Sequence, residues 1–294
     1  MLPDGVFDTA RGLTIIVMEF HYSKSELILE MVRELLGSER KADTSSTTFK
    51  ALRVLEVVAA SAHPMSLSDV AESVGFDKST AYRMLNTLVE AGYIVRDDIA
   101  KRYHLSYKVV HLSRNLLAEN EVLRLSRQML DRITAETSET THLCVLDGHQ
   151  TVLIQKVKGT QLVAVDFQIG DRSPLHCTSI GKALLAFQDV RFIEEVIAAG
   201  LPKMASNTIT NPDAFRRELH RVRAQGYAID DHEFSDSMRC IAAPVFGQDG
   251  QVQMGISLSG PDTRYTLEKL EELKGPLLQA AWDLSKRLGG APWK

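Results

Sequence analysis

The sequence predicts an α+β protein of two domains, a small helical domain with a hairpin and a larger α/β domain with a mostly antiparallel sheet. Between residues 66 and 93, two short helical patterns flank a glycine, and a hairpin pattern follows them. From residue 121 onward, strand and helix patterns alternate. The chain has 294 residues and a hydrophobic composition of 44%, which is enough for two hydrophobic cores.

The sequence predicts that residues 1–46 form a poorly ordered extension. Its one modest helical pattern, Ser25 to Leu36, ends in linker-like residues at 37–41. The first domain, residues 47–106, then opens with a helix that begins at Thr47 or Thr48 and is closed by His63-Pro64.

A pair of short helices forms the centre of the first domain. Ser66 can cap the first helix, with Asp69 reaching back to the cap, because a side-chain oxygen here accepts from the free N–H groups of the first turn. Gly75 follows the last periodic residue, where a left-handed conformation ends a helix. Asp77 is the predicted N-cap of the second helix, which directs Leu85 inward.

The second helix of this pair has a polar and basic face, and a hairpin follows it. Strands at residues 94–96 and 102–105 flank a turn at residues 97–101, and with the helices they predict a winged helix-turn-helix. This fold lays its second helix in the major groove of DNA, while the wing contacts the backbone. The predicted DNA-binding residues are Lys78, Ser79, Thr80, Tyr82 and Arg83 on the helix, with Lys101 and Arg102 on the wing. The alternative is an ordinary solvated helix face.

Charge is unevenly distributed along the chain. The formal net charge is −4, which argues against a protein that coats nucleic acid by bulk electrostatics. Residues 45–115 contain nine Lys and Arg against seven Asp and Glu, a balance of +2 that leaves −6 for the rest. The sequence therefore joins a mildly basic DNA-binding domain to an acidic body.

Cysteine usage and hydropathy predict a cytoplasmic protein. The three cysteines, Cys144, Cys177 and Cys240, are far apart and have no CxxC spacing, so neither a disulfide framework nor a structural zinc site is expected. The apolar stretch Leu13 to Met18 is much shorter than the roughly 20 residues that span a bilayer. No basic segment precedes it, as one would in a signal peptide.

Residues 107–120 predict a linker helix. Its apolar residues at positions 109, 110, 112, 116 and 117 form more apolar surface than a lone connector should expose. We therefore expect the helix to pair with its copy in a homodimer. Two copies would bind a near-palindromic site on double-stranded DNA.

The second domain, residues 121–290, begins with a helix at 122–136. Strands are predicted at residues 141–146, 151–157, 162–169, 227–230, 240–246 and 252–258, and helices at 179–187, 189–198 and 212–224. A final helix at 267–288 is expected to bend at Gly275-Pro276, because proline removes a backbone hydrogen bond. Short Gly-containing turns join two of the strand pairs, which favours an antiparallel sheet.

Three sequence blocks resemble the IclR family of bacterial transcriptional regulators. They are LHCTSIGKALLA at Leu175–Ala186, GYAIDDHEFSDSMRCIAAPVF at Gly226–Phe246 and SLSGP at Ser257–Pro261. The resemblance runs from about Thr47 to Gly289, although the wing lacks the glycine often found at its turn. It implies a GAF-like second domain that binds a small-molecule effector, and assembly as a dimer or a dimer of dimers. It also implies a sequence-specific DNA-binding regulator, for which we expect repression of a catabolic operon.

The resemblance also implies where the effector binds. The matching positions are Ser179, Ile180, Asp230, Met238, Cys240, Ser257 and Ser259. Ser257 and Ser259 alternate with apolar residues, so their hydroxyls face one side of a strand, toward either solvent or a cavity. The helix N-terminus near Ser179 and the two hydroxyls suit a carboxylate, whereas Asp230 suits an effector hydroxyl. A small hydroxylated or keto organic acid is therefore the expected effector.

A thiol- or metal-dependent sensor or enzyme fused to a DNA-binding domain is the alternative function. Its candidate ligands or nucleophiles are His176, Cys177, His232, Glu233 and Cys240. The sequence has no nucleophile motif and no Gly-rich phosphate loop, and a thiol in an apolar strand pattern is more often a small hydrophobe. We expect no enzyme activity, no metal, no cofactor and no membrane partner.

Overall fold

The computed structural model describes residues 46–117, 121–165 and 167–291, without the side chains of residues 115–117. The chain divides into two compact units between residues 120 and 121. The predicted extension, with its helix at residues 25–36, lies outside the described residues except for residue 46, where the first described helix begins.

The first unit is a helical domain with a small sheet. Its elements are α1 (Ser46–Ala60), β1 (Met65–Ser66), α2 (Leu67–Val74), α3 (Lys78–Glu90), β2 (Ile94–Asp97), β3 (Arg102–Leu105) and α4 (Lys108–Leu117). The strands form an antiparallel sheet in the order β1-β3-β2. This is the predicted winged helix-turn-helix. The two-residue strand β1 is an addition that no sequence pattern indicates.

Local hydrogen bonds fix the helix pair as predicted. Ser66 Oγ accepts from the N–H of Asp69 at 3.2 Å, and Asp69 Oδ2 accepts from the N–H of Ser66 at 2.9 Å. Gly75 is left-handed, with φ of +67°. In the wing, which has no glycine, Lys101 takes the left-handed conformation with φ of +54°. The hairpin therefore closes without the glycine that the family often has there.

The second unit contains six strands and five helices among its described residues. They are α5 (Glu121–Thr137), β4 (Thr141–Asp147), β5 (Gln150–Val157), β6 (Arg172–Pro174), α6 (Ser179–Leu185), α7 (Val190–Ala198), α8 (Pro212–Gln225), β7 (Ala228–Asp231), β8 (Met238–Phe246), β9 (Val252–Pro261) and α9 (Leu267–Arg287). The strand order is β6-β5-β4-β9-β8-β7, and every neighbouring pair is antiparallel.

This sheet has a helical layer on each face. α5 and α9 pack on one face through a core that includes Leu143 and Leu258, and α6, α7 and α8 cover the other face around Leu184. Ser257 and Ser259 alternate with Leu258 along β9 and are each only 4% exposed. Their predicted common face is confirmed, and it points into the protein rather than to solvent.

The strand predicted at residues 162–169 is wrong. The edge position beside β5 is taken by β6 instead. The segment's backbone bonds to side chains, as where the guanidinium of Arg264 donates to the carbonyl of Val163 at 2.9 Å. Val165 and Phe167 pack inward. The alternation of apolar residues in this segment therefore reflects the burial of their side chains, and not the pairing of the segment with another strand.

The final helix runs through the predicted bend without ending, and Pro276 lies inside α9. The described part of the linker helix is α4, and residues 118–120 lie outside the description. No described helix is both long and apolar enough to cross a membrane.

Candidate functional site

α3 exposes four of its five predicted DNA-binding residues. They are Lys78, Ser79, Tyr82 and Arg83, and Tyr82 keeps 42% of its surface accessible. Ala81 and Leu85, on the opposite side of the helix, are fully buried. Because the buried side anchors the helix, the basic and aromatic side chains are presented together on the surface.

Ser79 and Thr80 have a structural partner that the sequence prediction did not include. Their hydroxyls donate to the two carboxylate oxygens of Asp77, at 2.7 and 2.8 Å, and the N–H of Thr80 donates at 2.9 Å. These bonds, that of Ser79 first, lower the pKa of Asp77 well below its usual range. Both hydroxyl hydrogens are therefore used by the helix cap, and the oxygens keep lone pairs with which to accept from a partner.

The two cations of the wing also differ in whether they have a partner within the domain. Lys101 is exposed at the turn. The guanidinium of Arg102 donates to the carbonyl of Pro64 at 2.9 Å and lies 3.9 Å from Asp69. Arg102 therefore ties the wing to the start of α2, in addition to any contact with DNA.

In the second unit, all seven residues expected to bind an effector line one cavity. Its empty volume, counted together with the open space at its mouth, is about 470 Å³. The predicted members are Ser179, Ile180, Asp230, Met238, Cys240, Ser257 and Ser259, and the others are His142, Cys144, Leu153, Phe167, Asp171, Ser173, Thr178 and Phe234.

Strand register places the polar groups of the cavity in rows. Asp230, Cys240 and Ser259 are direct cross-strand neighbours on β7, β8 and β9. Ser257 lies two residues from Ser259 and so on the same face, and it pairs with His142 on β4. The floor of the cavity is therefore a surface of four strands.

α6 approaches this floor closely enough to put its first turn in the cavity wall. Thr178 caps it, accepting from the N–H of Gly181 at 3.0 Å. Ser179 and Ile180 follow, and a Cβ at Gly255 would lie only 2.8 Å from Ile180 Cδ1. Glycine on β9 thus permits the contact. α6 has only seven residues, so its N-terminus gives weaker support to a carboxylate than the sequence suggests.

Several lining residues were missed by sequence reasoning. His142 and Cys144 alternate with the core residue Leu143, a signal that locates them once the core face of β4 is known. The His142 ring meets Phe167 edge-on, with centroids 5.7 Å apart. Asp171 reaches the cavity from the loop before β6, which follows the segment wrongly predicted as a strand. No sequence pattern indicates this position.

Asp230 is a fully buried carboxyl group, with 0% of its surface exposed. Its Oδ1 accepts from the N–H of Glu233 at 2.8 Å and from that of Phe234 at 3.3 Å. Among the described residues, no N–H or O–H group donates to its buried Oδ2, and the weakly donating thiol of Cys240 contacts the carboxyl group. Burial, and to a smaller extent the charge of Glu233, raises the pKa of Asp230 to about 7.

A network of buried charges lies behind Asp230. Lys182 on α6 is fully buried, and its ammonium contacts the carboxylate of Glu233 and, at 3.1 Å, that of Glu218. Glu218 in turn pairs with Arg221 at 2.8 Å. The network holds the loop after β7 against α6 and α8.

The residues of the alternative function do not form a reactive centre. Burial raises the pKa of the Cys144 thiol to about 12, and it also raises the pKa of Cys177 and Cys240. His176 is held by the carbonyl of Pro202 at 2.8 Å. Within residues 46–117, 121–165 and 167–291, no group of three His, Cys, Asp or Glu side chains is placed to hold a metal ion. These thiols are poor nucleophiles near neutral pH.

A DNA-binding fold and an α/β domain with a polar cavity occur here in one chain. Together they define a transcriptional regulator with a helix-turn-helix and an effector-binding domain. Residues 47–98 match the IclR helix-turn-helix domain, and residues 114–286 match the C-terminal domain of the bacterial transcriptional regulator IclR. The chain belongs to the IclR family, whose members are DNA-binding regulators and not enzymes.

Relatives match both units. The HTH-type transcriptional regulator KdgR of Escherichia coli is 31% identical over 252 residues, which cover 85% of this chain and 95% of KdgR. The transcriptional repressor IclR of Escherichia coli is 27% identical over 82% of this chain and 89% of its own. The crystal structure of an IclR homologue from Microbacterium hydrocarbonoxydans, complexed with 4-hydroxybenzoate, is 25% identical with a TM-score of 0.69, and the match covers 83% of this chain and 99% of that one.

Proposed function

We propose that the protein represses a catabolic operon, binding a near-palindromic operator as a homodimer or a dimer of dimers, and that a small organic acid controls it. The observation that carries the effector assignment is the cavity, because all seven positions implied by the family resemblance line it. Repression is supported by the Escherichia coli relative that is named a transcriptional repressor.

The cavity presents different chemistry at its two ends. The hydroxyls of Ser257 and Ser259 on β9 can donate to a carboxylate. Asp230 Oδ2 on β7 can accept from a ligand hydroxyl, or, when it is protonated, donate to a keto oxygen. Two strand spacings, roughly 10 Å, separate β7 from β9. A small acid with a hydroxyl or keto group far from its carboxylate matches both ends. The relative that was crystallised with 4-hydroxybenzoate binds an acid of this kind.

A thermal-shift panel tests the effector class. We expect acids with a hydroxyl or keto group far from the carboxylate, such as 4-hydroxybenzoate and gluconate, to include the hits, and amines and hydrocarbons to be inactive. Ser257→Ala should lower the affinity for the most tightly bound acid roughly tenfold to a hundredfold, because it removes a hydrogen bond to a charged group. Ser206→Ala, an exposed serine outside the cavity, is the matched control. Hits among amines alone, or equal affinity in Ser257→Ala, would contradict this assignment.

Exposed apolar surface supports a homodimer. Tyr107, just before α4, is 92% exposed, and Val110 and Leu112 on α4 are 65% and 54% exposed. Burial against a second copy would remove this surface from water. Positions 116 and 117, which the sequence also assigns to this apolar surface, lie outside the described side chains.

Replacing Arg83 with alanine tests the DNA-binding surface. An exposed arginine on this helix neutralises phosphate, so Arg83→Ala should weaken binding to operator and random duplex alike. The slope of log affinity against log salt should fall by about one charge. The control is Arg191→Ala, whose side chain is 90% exposed on α7 of the second unit. The measurement is fluorescence anisotropy across a salt series, and an unchanged slope for Arg83→Ala would show that this arginine does not contact DNA.

A further inference from the structure

Few basic groups line the cavity to receive an anion. Its described lining includes two carboxyl groups, Asp171 and Asp230, one histidine, His142, and no lysine or arginine. An organic acid, the effector class proposed above, carries a negative charge, which an ionised carboxylate in an enclosed space would repel. Binding such an acid therefore requires a source of positive charge.

The charged groups around Asp230 are already balanced among themselves. The facing groups are Glu233 from the loop after β7, Cys240 from β8, Lys182 from α6, Cys177 from the loop before α6, His142 from β4 and Asp171 from the loop before β6. The ammonium of Lys182 is held by Glu233 and Glu218, and Arg221 pairs with Glu218. Two cations thus offset two glutamates. Lys182 attracts the charge of Asp230 less strongly than Glu233 repels it, so the network as a whole supplies no net positive charge to Asp230 or to an anionic effector.

Asp230 has the geometry to take a proton. Its Oδ1 is fixed by two backbone N–H groups, whereas no N–H or O–H group among the described residues donates to its buried Oδ2. A proton on Oδ2 would remove the charge and turn an acceptor into a donor.

We propose that an anionic effector enters this cavity together with one proton, which resides on Oδ2 of Asp230 and is donated in a hydrogen bond to an oxygen of the effector. One proton leaves the solvent, one O–H bond forms on the carboxyl group, and the pair of Asp230 and effector carries one negative charge instead of two. The inference rests on the organic-acid effector of the proposed function. Burial raises the pKa of Asp230 to about 7, so this proton is available near neutral pH.

The affinity for an anionic effector should depend on whether Asp230 is already protonated before the effector binds. Below pH 7 the empty cavity already holds the proton, so the affinity for an acid should not change with pH. Above pH 7 binding must take the proton from solvent, and the affinity should fall about tenfold for each pH unit. Calorimetry at pH 8, in two buffers with different ionisation enthalpies, should show uptake approaching one proton per site. At pH 6 the uptake should be near zero.

The test uses the full-length protein with gluconate and 4-hydroxybenzoate as probes, from pH 6 to pH 8.5. Asp230→Asn places a neutral amide donor where the protonated carboxyl would be. It should bind at pH 6 within a few-fold of wild type and lose the pH dependence. Asp171→Asn, which changes the other carboxyl group of the cavity, should keep the dependence.

The outcomes separate this inference from the proposed function. If neither probe nor any other acid of the panel binds at pH 6, the effector class is wrong and the inference is wrong with it. If acids bind with an affinity that does not depend on pH, and without proton uptake, the effector class stands and the inference is wrong. If Asp230→Asn retains the dependence, another group such as His142 takes up the proton and the assignment to Asp230 is wrong. Proton uptake by the wild type decides the question even if the variant does not fold.

Discussion

Replacing Lys182 with methionine is expected to lower the free energy of unfolding of the second domain by roughly 3–5 kcal/mol, the usual cost of removing one partner from a buried ion pair. The ammonium is fully buried and serves Glu233 and Glu218 together. Methionine fills most of the volume but leaves two carboxylates without their shared cation. The loss therefore comes from uncompensated charge and not from a cavity.

The stability lost by Lys182→Met should depend on pH. Burial already raises the pKa of Glu233, and losing the ammonium raises it further. The folded variant then keeps a proton that the unfolded chain releases, so stability falls as pH rises from the ordinary glutamate pKa toward the raised one. The defect should be larger at pH 8 than at pH 5. Denaturant unfolding followed by tryptophan fluorescence reports on this domain through Trp282 on α9.

Two further variants make this interpretation specific. Adding Glu233→Gln to Lys182→Met should restore part of the lost stability at pH 8, because it removes one of the uncompensated charges. Lys203→Met, a change of the same kind at an exposed lysine, should stay within about 0.5 kcal/mol of wild type. If Lys182→Met and Lys203→Met unfold alike at pH 8, the buried network does not stabilise the fold.

Sequence patterns located most of the fold because most of it is locally encoded. The cap of α2 needs only Ser66 and Asp69, three residues apart, and Gly75 ends that helix by its own conformation. The edge strands are different. β1 and β6 are two and three residues long and are defined by distant partners, so no local periodicity marks them.

The cavity likewise combines features that local patterns predict with features that depend on residues distant in the sequence. Alternation along β9 put Ser257 and Ser259 on one face, and only the packed structure showed that this face is interior. The partners of Lys182 are 36 and 51 residues away, so no local pattern indicates that a lysine is buried there. Phe167 reached the cavity from a segment assigned to the wrong element, because an apolar alternation does not distinguish a strand from a loop that buries every second residue.

Gly181→Ala should be the second severely destabilising change, because α6 packs against backbone at this position. A Cβ on Gly181 would lie 2.6 Å from both the Cα and the carbonyl oxygen of Leu175, and 2.7 Å from the carbonyl oxygen of Pro174. A clash with a side chain can be relieved by a rotamer change, but these atoms are main chain. The helix must therefore move, and the cost should lie at or above the upper end of the roughly 1–3 kcal/mol typical of overpacking.

A shift of α6 would also disturb the cavity, since Ser179 and Ile180 reach it from the same turn. We expect Gly181→Ala to lose most of its response to the acids of the panel even at temperatures where it remains folded. Gly247→Ala is the matched control, because the nearest contact of its new Cβ, at 3.1 Å, is the carboxylate of Asp249, a side chain that can rotate away. Both substitutions restrict the unfolded chain equally, so the difference between their unfolding free energies reflects the folded state. Alanine is favoured over glycine by about 1 kcal/mol within a helix, so the clash at Gly181 must exceed that gain to appear as a loss of stability. Equal stability of the two variants would mean that α6 can accommodate a methyl group, and that its close approach does not fix the cavity wall.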